Sequence, residues 1–128
     1  MIEDAIYSRL AGFAGLSALV GTRIYPMHLP QKPNFPCLAY RRVSSSPINA
    51  LAVDTDIMTC NFDVASFSKT ADECYSVAEQ IRLSLQRWQG TESGVVVMDC
   101  MITNIDQDYQ PDLEIYESEL TMQITFRA

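Results

Sequence analysis

Between Val20 and Pro36 the chain carries Gly21 and then four prolines, Pro26, Pro30, Pro33 and Pro36. Glycine adopts the left-handed conformation that closes a helix, and each proline fixes its own φ and pushes the preceding residue toward extended geometry. Gly21 to Pro36 therefore cannot be continuous helix. The order is a helix stop, a short extended piece at Arg23-Ile24-Tyr25, a proline-spaced loop, and a strand from Cys37 to about Val43. Such punctuation dictates a path and leaves the chemistry open.

On either side of this segment the hydrophobic periodicity is legible. Ile2, Ala5, Ile6, Leu10 and Phe13 recur at helical spacing, with Glu3 and Asp4 at the favourable N-terminal end, and Leu16, Leu19 and Val20 add a further turn. From Ile57 to Phe67 strict alternation predicts a strand with Met58, Cys60, Phe62 and Val64 on the buried face. A helix follows from Thr70 to Gln89, opened by the capping box Thr70-x-x-Glu73, carrying Ala71, Cys74, Val77, Ala78, Ile81, Leu85 and Trp88 inward, and closed by Gly90. Val96, Met98, Cys100 and Ile102 mark one face of the next strand, and Tyr116, Leu120, Met122, Ile124 and Phe126 that of the last. The connection between them, Asp106 to Glu114, reads as a projecting acidic hairpin. The expected fold is α+β: helices on one face of a mostly antiparallel sheet of about four strands, in a single domain over residues 1–128.

Residues Gly21-x-Arg23-Ile24-Tyr25-Pro26, followed by Pro36-x-x-x-Tyr40 on a strand, together with this element order, resemble the tail completion and tail terminator family of long-tailed bacteriophages and prophages. The resemblance covers essentially the whole chain. It implies a virion structural protein that caps the tail tube and joins tail to head, working as a ring that is usually six-fold. The implied partners are further copies of the chain, the tail tube protein and a head completion or connector protein, with genome DNA only passing through the lumen. The implied location is the head-proximal end of the tail, after assembly in the bacterial cytoplasm. Two other classes remain open: a different phage structural part, such as a head-tail connector or minor tail protein, and more distantly a small ligand-binding domain or enzyme built around His28.

Composition narrows these classes. The net charge of −7, with Arg41-Arg42 the one adjacent basic pair, disfavours a nucleic-acid-binding surface, which needs Lys and Arg against phosphates. No apolar run approaches membrane-spanning length, and Met1-Ile2-Glu3-Asp4 lacks the basic start of a secretory signal, so no membrane is expected. Cys37, Cys60, Cys74 and Cys100 form no C-x-x-C pair and read as reduced, packed thiols. There is no nucleophile elbow, phosphate-binding glycine loop or dinucleotide fingerprint, and His28 is the sole histidine. No catalytic residue, cofactor or metal is assigned. Asp106, Asp108, Asp112 and Glu114 supply oxygen atoms, but their spacing misses the calcium-loop pattern and lacks its glycine.

Two segments stand out as contact surfaces. Turn-rich sequence encloses Ile48, Ala50, Leu51, Ala52 and Val53, which is unusual for a merely solvated loop. Ile48, Leu51 and Val53 are candidate interface residues on that ground. Asp106, Asp108, Asp112 and Glu114 are the others, with carboxylates that would repel a DNA backbone if they lined a ring.

Overall fold

The computed structural model describes residues 2–49 and 54–127. Its elements run α1 (Ile2–Ala11), α2 (Ala14–Val20), β1 (Ile24–Pro26), β2 (Cys37–Asn49), β3 (Asp54–Ser68), α3 (Ala71–Leu85), β4 (Gly90–Glu92), β5 (Val95–Gln110) and β6 (Ile115–Arg127). Six strands in the order β1-β2-β3-β6-β5-β4 make one mixed sheet, curled into a half-barrel. This corrects the expectation of a four-stranded sheet. The additional strands, β1 and β4, are three residues each and sit at the two edges; β1 runs parallel to β2, while the remaining pairs are antiparallel. A three-residue strand has too little length to display a period of two, which is why neither edge is visible as alternation.

The long strands also exceed their expected lengths. Beyond Val43, the polar run Ser44-Ser45-Ser46 still pairs with Asn61, Cys60 and Thr59 of β3. The alternation simply has no apolar partner residues to reveal it. In the same way Asp106 to Gln110 belong to β5 and pair with β6, so the projecting loop expected from Asp106 to Glu114 shrinks to the turn Pro111–Glu114.

One bulge changes the expected face of β5. Register shifts lie between Val97 and Asp99 and between Ile102 and Asn104, so Met98 and Thr103 are inserted residues. Val95 and Val97 are therefore buried while Val96 and Met98 are exposed, the reverse of the alternating expectation; after the inserted Met98, Cys100 faces inward and Ile102 packs against the core. A third bulge lies at Val43 in β2. Each inserted residue strengthens local twist, which suits a sheet that curls around its helices.

All three helices bury their apolar stripes against one sheet face. Ile2, Ile6 and Leu10 of α1, Leu16 and Val20 of α2, and Val77, Ile81 and Leu85 of α3 join Leu38, Phe62, Val64, Leu120, Met122 and Ile124 in one core. Thr70 caps α3, its hydroxyl accepting from the Glu73 N–H at 3.3 Å, a contact of the kind worth about 1 kcal/mol. The Glu73 carboxylate turns to the Ser68 hydroxyl, at 2.6 Å, instead of closing the reciprocal half of a capping box.

The helix α3 ends at Leu85, before the expected Gln89. Arg87 adopts φ 59°, donates its N–H to the Cys100 carbonyl at 2.7 Å and pairs with Asp99 at 2.8 Å. These bonds to β5 pull the chain off the helix axis, and Trp88 enters the core from a turn, beneath the Arg9 guanidinium. Gly90, expected to stop the helix, instead starts β4. Gly21 does close α2, at φ 59°.

Candidate assembly surfaces

The sheet face opposite the helices is polar because the alternation that sends Phe62, Val64, Leu120 and Met122 inward sends Asp63, Glu119 and Thr121 outward. Register then assembles an acidic cluster from three strands. Asp106 lies directly opposite Glu119, Asp108 opposite Glu117, and Asp63 beside Thr121. Arg41 reaches Asp63 at 3.5 Å, the Thr121 hydroxyl donates to the same carboxylate at 3.1 Å, and the Gln110 amide donates to Glu117 at 3.0 Å. Asn104 donates to Asp106 at 3.0 Å.

Glu119 sits at the centre of this cluster. Its carboxyl is pushed above the usual range, first by burial, then by the negative charges of Asp63, Glu117 and Asp106, with Arg41 opposing. The folded chain thus holds this proton more tightly than the unfolded chain. Stability is favoured while Glu119 is protonated and falls as pH rises from the ordinary carboxylate range through the raised folded value. Glu119→Gln should therefore raise the melting temperature at pH 7 and leave it nearly unchanged at pH 3.5, as read by thermal unfolding of both proteins at both pH values. An equal shift at the two pH values would mean that packing, not charge, sets the difference.

The interface residues named from sequence separate. Asp106 and Asp108 lie on β5 in the acidic cluster; Asp112 and Glu114 lie in the β5–β6 turn. Ile48 is on β2, and Leu51 and Val53 fall outside the described residues. Sequence reasoning missed Glu117 and Glu119, which complete the cluster. The signal was present in Glu117-x-Glu119, the spacing of one strand face, but it becomes meaningful only once β6 is set against β5. Among the described residues, no group of three or more His, Cys, Asp or Glu side chains is placed to hold a metal ion.

The proline-spaced loop folds over part of the same face. Met27, His28 and Leu29 border an open groove of about 280 Å³ with Arg41, Asp63, Phe67 and Glu119. His28 is exposed and its Nδ1 donates to the adjacent Leu29 carbonyl at 3.0 Å. The four thiols are free and buried; burial pushes Cys37 up to about 11 and Cys100 up to about 12, so neither forms the thiolate that nucleophilic chemistry requires.

Exposed apolar side chains gather instead along β5 and its turn: Met98, Met101, Ile105, Tyr109 and Leu113. A strand edge bearing large apolar groups is an association surface. The curled sheet thus has a helix-covered face, an acidic outer face and exposed apolar side chains along β5. A family model described as "Tail completion protein gp17" matches residues 4–127, and the chain belongs to that family. It is a phage tail structural protein, and the family is one of virion structural proteins, not enzymes.

Among solved structures, the chain is similar to a chain from the "Virion of native gene transfer agent (GTA) particle". The TM-score is 0.75 at 14% identity, covering 97% of this chain and 92% of that one, which establishes a shared fold. No curated protein matches the chain.

Proposed function

We propose that the chain forms a ring that caps the tail tube when it reaches its length and supplies the surface joining tail to head. Membership of the tail completion family over residues 4–127 carries this reading. A closed ring needs two different, complementary patches on each subunit. The apolar β5 edge and the extended β2–β3 arm lie on opposite sides of the sheet and meet that requirement.

In this arrangement the acidic, helix-free face turns to the lumen. Among the described residues, Arg41 is the one cation within the cluster of Asp63, Asp106, Asp108, Glu117 and Glu119, so passing DNA meets a repulsive wall. The partners are further copies of the chain, in the six-fold arrangement usual for the resemblance, the tail tube protein below and a head completion or connector protein above. The complex sits at the head-proximal end of the tail.

Deleting the gene in a strain that releases the corresponding particles tests this directly. Electron microscopy of the lysate should show overlong tubes, supporting termination, or tails of normal length without heads, supporting joining. Normal, infectious particles would overturn both roles.

A further inference from the structure

The sheet has two long strand edges without a strand partner among the described residues, and they lie at opposite ends of the strands. Beyond Tyr40, β2 continues to Asn49 with no strand on its outer side, because β1 pairs only with Leu38 to Tyr40. Beyond Ile102, β5 continues to Gln110, because β4 pairs only with Val95 to Val97. Edges of this kind are templates for strand addition unless something blocks them.

The bulges determine which backbone groups each edge offers. On β5, the Cys100 carbonyl accepts from Arg87 and the Ile102 N–H donates to the Gln86 side chain at 2.9 Å, so these two point away from β6. The inserted Thr103 reverses the phase, and the outward groups of the free stretch become those of Ile105, Gln107 and Tyr109. The Tyr109 N–H accordingly donates to the Asp108 side chain, at 2.8 Å. On β2, the Leu38 N–H and the Tyr40 carbonyl point outward to Arg23 and Met27. The inserted Val43 reverses that phase too, leaving Ser45 and Pro47 outward. Proline at an outward position costs the β2–β3 ladder nothing and ends the series of donors on that edge.

We propose that β5 of one copy adds to β2 of the next, antiparallel, with Gln107 opposite Ser45, so that the sheets continue from subunit to subunit. This deepens the ring reading and rests on it. The sense is fixed by the fold: β2, β3, β6 and β5 alternate in direction, so the outer β5 of one copy meets the outer β2 of its neighbour antiparallel. Side chains agree with the register. Pro47 comes beside Ile105 on the helix side, covering a residue that is 47% exposed in the single chain. On the other face Arg41 falls diagonal to Asp108, within reach of a long side chain. The free stretches occupy opposite ends of the sheet, so each copy shifts along the strand direction relative to the last, as in a closed barrel whose strands are inclined to its axis.

The test is oxidative cross-linking of the double variant Ser46→Cys, Asp106→Cys, two positions that the same register sets opposite each other and that lie opposite Thr59 and Glu119 within the chain. Both positions are exposed and the four native thiols are buried, which keeps background low. The expected result is a ladder of covalent oligomers from the double variant and none from either single variant, with Gln107→Pro remaining folded by circular dichroism yet losing the oligomer peak in size-exclusion chromatography. If the native chain forms oligomers while the double variant stays uncross-linked and Gln107→Pro assembles normally, edge pairing is overturned and the ring reading stands. A chain that stays monomeric even with tail tubes added overturns the ring reading and edge pairing with it.

Discussion

Phe62→Ala should cost about 3 to 5 kcal/mol of folding stability, the range for removing a fully buried phenylalanine and leaving its cavity. Phe62 is completely inaccessible and lies mid-way along β3, the strand flanked by both β2 and β6. Its ring faces the helices, in the layer that includes Met122 on the adjacent strand, and the Arg42 guanidinium lies 6.0 Å from its centroid. Neighbouring strands hold their backbones in a hydrogen-bonded ladder and cannot collapse into the space, so the upper half of that range is expected. Domains of this size have about 5 to 15 kcal/mol in total, so the variant should show a large drop in urea midpoint at unchanged slope. Val43→Ala, at an exposed position in the β2 bulge, is the control and should change stability by no more than about 0.5 kcal/mol. A loss below about 1 kcal/mol for Phe62→Ala would show that the ring is not held in a rigid core.

That core was largely legible in the sequence. Met58, Cys60, Phe62 and Val64 alternate and face or pack against the core as expected, and Cys74, Val77, Ala78, Ile81 and Leu85 form the buried stripe of α3. What escaped was set by pairing between distant segments. The β1 and β4 strands are defined by neighbours and not by their own pattern. The serines of β2 are strand residues only because β3 lies alongside. Met98 and Thr103 are inserted residues whose effect on side-chain phase is invisible until β6 supplies a register. The same limit applies to the acidic surface. Asp106 and Asp108 stood out as charges in an expected loop, whereas their position on β5 opposite Glu119 and Glu117 makes them part of a face.

Glu117→Lys combined with Glu119→Lys should leave particles that assemble but deliver DNA poorly, with infectious titre falling by about tenfold or more at constant particle number. Both positions are on β6, an inner strand, and point away from the helices, so the change leaves the core and the outward backbone groups of the two open edges in place, at the loss of the hydrogen bond from Gln110 to Glu117. Asp63, Asp106 and Asp108 would surround the new ammonium groups, which favours folding of the variant. Each substitution adds two units of positive charge per copy, and the proposed ring would multiply that by its copy number. A duplex carries one phosphate charge per about 1.7 Å of axis, so in the proposed arrangement a positively charged collar would hold DNA that the native carboxylates would repel. Raising ionic strength during ejection should restore delivery, because counterions then compete for the lysines. Normal tails with heads attached, together with a salt-reversible ejection defect, would place the helix-free face on the DNA path. Unchanged titre and unchanged ejection would instead turn that face away from the lumen and leave the helix-covered side, or the strand ends, to meet the genome.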